Sequence, residues 1–247
     1  MMEQPAYVIF GATGGVGSAL ARRVARRIGT QRLLLVGRNA EKLDNLSAEI
    51  GAETRVADAT SIADVDAAIE FAVERFGRVD GVANCVGSLL LKPVHLTSEL
   101  EWAAVINTNL GSAFAVTRAA AKAMTQTGGS IALVSSAASR IGLANHEAIA
   151  AAKGAINGLV LSAAATYGPR GIRVNAVAPG LVRTPLASRI TGNDAALKAS
   201  TAMHVLGRIG EADEVASGLD WLLDPAQSWV TGQIIGIDGG LGSVRSR

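Results

Sequence analysis

Two polar side chains of this sequence could do chemistry: Ser136, at the end of a predicted strand, and Lys153, on the helix that follows. A serine hydroxyl can hydrogen-bond an oxygen and orient it, and the positive charge of a lysine lowers the pKa of a neighbouring acid. One helical turn before Lys153, on the same helix face, stands Ile149. Because isoleucine has no exchangeable proton, only Ser136 and Lys153 among these three residues carry groups that could bind or orient an oxygen.

His146 is the best alternative proton source in the sequence. It lies one turn before Ile149, at the start of the helix, and an unperturbed histidine titrates near pH 6.5. The alternative is a partly exposed histidine with no chemical role. The two tyrosines are poorly placed to supply a proton beside Lys153, because Tyr7 begins the first strand and Tyr167 lies near the far end of the helix.

Residues 7–18 predict a strand, a glycine-rich turn and the start of a helix. Gly11 permits a sharp exit from the strand, Gly15 lets the backbone approach a pyrophosphate, and Gly17 lets helix and strand pack closely. The helix N-terminus then offers unpaired N–H groups and a partial positive charge to phosphates. We therefore predict dinucleotide binding, with an ordinary tight turn as the alternative.

The end of the second predicted strand favours NADP(H), with NAD(H) as the other possibility. An acidic side chain there would bind the ribose 2′-hydroxyl, but the sequence has Gly37 and Arg38 instead. An arginine can pair with a 2′-phosphate. The alternative is a solvated arginine at a helix start.

Short β-branched runs alternate with Ala-rich helical segments over most of the chain. This alternation predicts one α/β domain over residues 1–247: a doubly wound Rossmann-type parallel sheet of about seven strands. One helix has apolar residues at steps of three and four over 62–76, with Ser61 or Thr60 as its cap and Gly77 as its end. The predicted strands are 7–10, 32–36, 54–57, 79–83, 130–135, 173–178 and 233–237.

Residues 179–195 form the longest predicted irregular stretch. They follow a strand end, where open α/β sheets bind their ligands. We expect them to form a substrate loop or lid over a small-molecule substrate whose identity the sequence does not reveal.

The formal net charge of the 247 residues is +2, and aromatic residues make up 4% of the chain. One basic cluster lies on the first helix, and because no aromatic residue stands beside it we predict a solvated face and no nucleic-acid partner. The cluster consists of Arg22, Arg23, Arg26 and Arg27.

No run approaches about 18 apolar residues, so we predict no membrane span, and residues 1–5 lack the features of a secretory signal. Cys85 is the only cysteine, which is consistent with a cytoplasmic location, and we expect it to pack as a small apolar residue. We predict no metal site.

Nearly the whole chain resembles the short-chain dehydrogenase/reductase family. The glycine spacing of the first turn is that of the family, although Phe10 stands where threonine is usual. Asn84-Cys85-Val86-Gly87 is similar to the family's Asn-Asn-Ala-Gly segment. The other matching segments, in family order, are Asp58-Ala59, Asn109, Ser135-Ser136, Pro179-Gly180 with Thr184-Pro185-Leu186, and Gly236-Ile237-Asp238-Gly239-Gly240.

The resemblance implies hydride transfer between a nicotinamide cofactor and a carbonyl or alcohol carbon. It implies that Ser136 binds the substrate oxygen, that Lys153 holds the nicotinamide ribose, and that Asn109 supports a water chain behind the lysine. The family's tyrosine stands four residues before that lysine and thirteen after that serine, and both counts lead to Ile149. The implied cofactor contacts are Gly11, Thr13, Gly15, Val16, Gly17, Arg38, Asp58, Ala59, Asn84, Gly87, Lys153, Pro179, Gly180, Val182 and Thr184.

Simpler explanations exist for several of these residues. Ile149 also extends a buried helix stripe, Ser136 could satisfy backbone groups at a strand end, and Lys153 could lie at the surface. For His95 and His204 we expect no chemical role.

Three functions fit these observations: an NADP(H)-dependent oxidoreductase with altered proton transfer, a cofactor-binding sensor or partner subunit without turnover, and a non-redox enzyme such as a lyase. The resemblance also implies a homo-oligomer, a dimer or tetramer. The Ala-rich helices around 100–126 and 146–168 would pack in its interface.

Overall fold

The computed structural model describes residues 4–244. The outermost residues of the predicted single domain lie outside this range, and so do Met1–Glu3 of the segment that was assessed for a secretory signal. Seven parallel strands form one sheet in the order β3-β2-β1-β4-β5-β6-β9, as the alternating pattern predicts. All seven predicted strands are present, with ends within two residues of the predicted ones. The strands are β1 Tyr7–Phe10, β2 Leu33–Gly37, β3 Glu53–Val56, β4 Gly81–Asn84, β5 Gly129–Val134, β6 Ile172–Pro179, β7 Val182–Arg183, β8 Gly210–Glu211 and β9 Ile234–Ile237.

Helices cover both faces of the sheet, which explains why its strands are apolar on both sides. On one face α3, α5 and α6 pack against residues such as Val8 and Phe10. On the other, α1, α2 and α9 pack against Ile9 and Leu35. The helices are α1 Gly15–Ile28, α2 Ala40–Ile50, α3 Ile62–Phe76, α4 Glu99–Ile106, α5 Ser112–Met124, α6 Glu147–Tyr167, α7 Ser188–Thr191, α8 Asp194–Met203 and α9 Ala212–Leu223.

The predicted ends of α3 are confirmed in detail. The Ser61 hydroxyl accepts the N–H of Asp64, and Gly77 ends the helix in the left-handed region at φ 79°. Thr60, the other candidate cap, instead donates to Asp58.

The prediction that residues 179–195 are irregular is only partly correct. The segment contains β7, a short 3₁₀ turn at Pro185–Ala187 and α7. Val182 and Arg183 in β7 pair with Gly210 and Glu211 in β8, forming a small second sheet. Strands of two residues are too short for a period-two pattern, so no local pattern indicated this second sheet.

Three of the four arginines in the basic cluster on α1 pair with carboxylates of this chain. Arg22 contacts Glu49 at 2.6 Å, Arg23 contacts Asp213 at 2.7 Å, and Arg27 contacts Asp220 at 2.9 Å.

One helix among the described residues, Glu147–Arg170, passes a length and hydropathy test for a membrane span, and 44% of the tested window is buried inside the protein. Its Ile156, Val160 and Ala163 pack in the main core. A core helix passes the same test, and the packing explains its apolar composition.

Candidate active site

The chain reverses its strand order between β1 and β4, and the crevice beyond their carboxyl ends is where such sheets bind ligands. The loops that follow β1, β4, β5 and β6 meet at this edge. They carry the glycine turn, the segment from Asn84 to Gly87, Ser136, and the segment that starts at Pro179.

The glycine turn after β1 is constrained by contacts that leave no space for side chains. Gly11 has φ 73°, and a Cβ there would lie 2.8 Å from the backbone N of Val86. A Cβ on Gly17 would overlap the carbonyl oxygen of Gly11. A Cβ on Gly15 would lie 2.7 Å from Thr184 Cγ2, so this glycine also lets the loop after β6 approach the turn.

The N-terminus of α1 fits an anion. Within the described chain, Gly14 provides no side-chain cap, and the first turn, which includes Val16, holds no acidic residue. The first N–H groups of the helix are therefore available, and the helix dipole favours negative charge there.

At the end of β2, Arg38 is exposed and its guanidinium lies 3.9 Å from the Asp58 carboxylate. The carboxylate of Asp58 accepts hydrogen bonds from the Thr60 backbone and hydroxyl. These bonds and the charge of Arg38 hold the pKa of Asp58 below its ordinary value. A Cβ on Gly37 would lie 3.3 Å from the Thr13 hydroxyl, so the backbone just before Arg38 lies close to the glycine turn. Ala59, next to Asp58, is buried.

Asn84 stabilises the loop after β4 with both ends of its side-chain amide. Its Nδ2 donates to the Ser112 hydroxyl at 3.0 Å, and its Oδ1 accepts the Val86 N–H at 3.1 Å. Its amide therefore orders the loop from within. Gly87 follows, where a Cβ would lie 3.1 Å from Asn109 Oδ1 and 3.5 Å from Lys153 Nζ.

Ser135 and Ser136 have different environments. The Ser135 hydroxyl contacts Ser139, the Lys153 carbonyl and, at 2.6 Å, Asn157. Ser136 is partly exposed, and its oxygen accepts the Ala138 N–H at 3.1 Å. Within residues 4–244 no other bond holds that hydroxyl, so its hydrogen is available to a ligand.

Lys153 is buried, and its Nζ donates to the Val134 carbonyl at 2.7 Å. Burial lowers the pKa of Lys153 to about 8, and Cys85 opposes this shift weakly. Burial also raises the pKa of the neighbouring Cys85 thiol to about 12, so this cysteine is neutral near pH 7, as expected of an inert packing residue. The simpler explanation of Lys153 as a surface residue is wrong.

Asn109 lies in a π-turn, Asn107–Gly111, between α4 and α5. Its Nδ2 donates to the Val105 carbonyl and the Ser88 hydroxyl, both at 2.9 Å, and its Oδ1 accepts the Ser88 N–H. Such bulges are frequent at functional sites, because they turn side chains out of the regular helical direction.

Ile149 is 3% exposed and packs in an apolar cluster of its own. The buried members come from α4 and α6, and partly buried leucines of the loop after β4 cover them. The cluster contains Val105, Ala148, Ile149 and Ala152, with Leu89, Leu90 and Ile106 beside it.

His146 is the residue just before α6, and its Nδ1 lies 2.8 Å from the Ala144 carbonyl oxygen. Because a carbonyl only accepts, Nδ1 carries a hydrogen and the other ring nitrogen, Nε2, is not engaged by this bond. Asn145, directly before it, has φ 63°, a left-handed conformation that is uncommon outside glycine, and its carbonyl accepts the Lys92 N–H.

The loop after β6 is held by a residue for which we expected no chemical role. Pro179 ends the strand, and the N–H of Leu181 donates to His204 Nε2 at 3.1 Å. Val182 is buried, and Thr184 lies against Gly15. The contact of His204 joins residues 23 positions apart, and no local pattern in the sequence indicated it.

No group of three or more His, Cys, Asp or Glu side chains in the described range is arranged to hold a metal ion.

Residues 11–242 match a family model described as Enoyl-(Acyl carrier protein) reductase. The chain is also 33% identical to the short-chain reductase protein NovJ of Streptomyces niveus, over 96% of this chain and 94% of that protein. The chain belongs to the short-chain dehydrogenase/reductase family.

Two further relatives match this chain over almost their whole length. A 3-oxoacyl-acyl-carrier-protein reductase of Thermotoga maritima is 33% identical over 97% of this chain and 98% of its own. An actinorhodin polyketide ketoreductase variant, crystallised with NADPH, superimposes with a TM-score of 0.91 at 28% identity, covering 98% of this chain and 99% of the other. These relatives are reductases, and membership of the family makes this chain an oxidoreductase by type.

Proposed function

We propose that this protein is an NADP(H)-dependent oxidoreductase that acts on a carbonyl or alcohol and obtains its proton by an altered route. The observation that carries the proposal is the environment of residue 149. Ser136, Asn109 and Lys153 keep a hydroxyl, an amide and an ammonium at the site, whereas Ile149, one turn before Lys153, is hydrocarbon enclosed by hydrocarbon.

The site's residues fit a nicotinamide dinucleotide. The turn that contains Gly11 and Gly17 has no space for side chains, and the uncapped N-terminus of α1 suits the pyrophosphate. Thr13, Asp58, Ala59, Gly87 and the residues Pro179–Thr184 surround this region, and the bound cofactor would supply or accept the hydride.

The exposed Arg38 favours the phosphorylated cofactor. It lies at the end of β2, where residue 37 is a glycine and no carboxylate belongs to the strand end itself. Its guanidinium can pair with a 2′-phosphate in two-pronged geometry, which NAD(H) does not offer.

The protein's own groups then divide the remaining work. The Ser136 hydroxyl donates to the substrate oxygen and orients it. The Lys153 ammonium holds the nicotinamide ribose, and Ile149, packed among apolar side chains, contributes no proton. We assign proton transfer to His146, whose Nδ1 hydrogen is bound to the Ala144 carbonyl, which leaves Nε2 as the ring nitrogen that could exchange a proton near the start of α6.

Hydride transfer without the tyrosine is physically reasonable. A general acid typically contributes about 10²–10⁴ in rate, whereas positioning contributes ~7–11 kcal/mol in favourable cases. We therefore expect slow turnover rather than none.

The test is to titrate purified protein with NADPH and with NADH, and then to follow absorbance at about 340 nm with a panel of ketones and aldehydes. Tighter binding of NADPH and a slow, protein-dependent loss of absorbance are expected. Failure to bind either nucleotide contradicts the proposal.

A second candidate is a protein that binds NADP(H) without turnover, as a sensor or partner subunit. The burial of Ile149 favours it, because a site sealed by hydrocarbon also excludes the proton. NADPH binding with no turnover on the panel, and with turnover gained in Ile149→Tyr, would select this candidate over the first.

We also propose a single-domain homo-oligomer, a dimer or a homotetramer, in the cytoplasm. The helices α4, α5 and α6 present exposed apolar side chains, among them Leu100, Phe114 and Leu161, which an oligomer interface would cover. Light scattering that shows a monomer at micromolar concentration would contradict the oligomer.

A further inference from the structure

We propose that His204 is a positioning residue for NADP(H) binding, which fixes the loop after β6 over the cofactor site. The inference rests on the proposed function, because it concerns the loop that covers the same nucleotide. His204 immediately follows α8, outside the groups discussed for catalysis, and is 3% exposed.

Both ring nitrogens of His204 have defined partners. Nδ1 lies 2.7 Å from the Ser200 carbonyl oxygen and therefore carries the hydrogen. Nε2 lies 3.1 Å from the Leu181 N and accepts its hydrogen. The ring is thus held as one neutral tautomer, with its acceptor nitrogen aimed at the backbone of the loop.

The ring also fills the position where a side chain of residue 180 would stand. A Cβ on Gly180 would lie 2.5 Å from His204 Nε2 and 3.0 Å from its Cδ2. Gly180 does not have a positive φ, so backbone freedom does not explain the glycine. The close approach of the imidazole does explain it, and the loop and the ring fit as a pair.

The loop's contact with the glycine turn lies three residues after the hydrogen-bonded Leu181. Leu181 precedes Val182, which pairs with β8, and Thr184 then packs against Gly15 in the glycine turn. Leaving the Leu181 N–H without an acceptor in a partly buried position is costly. We therefore expect the loop to shift at Thr184 when the imidazole acceptor is lost.

The charged side chains beside His204 have partners of their own. The charged groups that line the adjoining cavity of about 470 Å³ with His204 are Arg208, Glu214 and Asp238. Arg208 and Glu214 pair with each other, and Asp238 accepts the N–H groups of Gly240 and Gly242.

The experiment compares His204→Phe, which keeps a ring without nitrogen, with His204→Gln, which keeps an acceptor that does not titrate. Both use the full chain, with His95→Gln, at an exposed histidine, as control. We expect Phe to raise the NADPH Kd roughly tenfold, about 1.4 kcal/mol, and Gln to stay within about twofold of the wild type. Hydrogen exchange at the Leu181 amide should accelerate only in the Phe variant.

A second pair of variants distinguishes a positioning role of His204 from a general folding defect. Gly180→Ala alone should weaken NADPH binding, because its Cβ meets the ring. Gly180→Ala combined with His204→Ala should lose less affinity than the two single changes added together, because removing the ring makes room for the methyl group.

Three results would overturn the inference. The first is unchanged NADPH affinity in the Phe variant together with faster hydrogen exchange at Leu181. The second is an equal loss of NADPH affinity in the Phe and Gln variants, and the third is strictly additive effects in the Gly180 pair. Failure of the wild type to bind any nicotinamide nucleotide would instead contradict the proposed function, and the inference would fall with it.

Discussion

Ile149 and Lys153 lie one turn apart on α6, and burial has opposite effects on them. For Ile149, burial in an apolar cluster is favourable packing. For Lys153, it disfavours the charged form and lowers the pKa to about 8. The fold therefore tolerates an unfavourable buried ammonium one turn from a side chain that brings no proton of its own.

Replacing Lys153 should change how the free energy of unfolding depends on pH and should weaken NADPH binding. The pKa of Lys153 is about 8 when folded, below its ordinary 10.5, so the unfolded chain binds more protons between those values. The free energy of unfolding should then rise with pH across that window, by up to roughly 3 kcal/mol from this group.

Urea denaturation of wild type and Lys153→Met at about pH 7.5 and about pH 10.5 measures this. The wild type should gain stability relative to the variant as the pH rises, and the variant should lose NADPH affinity. Equal changes in both proteins would show that Lys153 does not titrate in that window.

The two adjacent serines should differ in what they support. Ser136→Ala should lower kcat/KM by about 10²-fold with little change in Tm, because its hydroxyl is free to donate to substrate. Ser135→Ala should instead lower the free energy of unfolding by ~1–3 kcal/mol, since it removes contacts with Ser139 and Asn157. Thermal unfolding and steady-state rates on both variants decide the matter, and a reversed pattern would place the substrate oxygen at Ser135.

Arg38 should determine the preference between the two nicotinamide cofactors. Arg38→Leu should raise the Kd for NADPH by roughly 10–100-fold, in line with the loss of a charged hydrogen bond. NADH binding should be unchanged, which makes it the internal control in the same titration. A parallel loss of both nucleotides would indicate a role in folding the end of β2 instead.

His146 should carry the proton in the wild-type protein. His146→Gln should lower kcat by about 10²-fold, because glutamine preserves polarity but cannot give up a proton, while Kd for NADPH is unaffected. His95→Gln, the matched change at an exposed histidine, should have no effect. Full activity in the His146 variant would assign the proton to solvent.

Local patterns in the sequence predicted much of the fold and the site's composition. The caps of α3, the seven strands and the glycine turn each depend on residues close in the chain. Contacts between distant residues were not predictable in this way: the bond from Leu181 to His204, the pairing of β7 with β8, and the enclosure of Ile149 by Leu89 and Leu90. The π-turn at Asn109 was also missed, because its sequence resembles ordinary helix.

We propose that residue 149 occupies the proton-donor position without a proton to give, and Ile149→Tyr beside Ile149→Phe tests this most directly. Both variants add an aromatic ring, so the hydroxyl is the difference between them. With NADPH and a ketone that the wild type reduces slowly, the Tyr variant should exceed the Phe variant in kcat by about 10²–10⁴-fold. Equal rates in the two variants, with NADPH binding intact in both, would contradict the account.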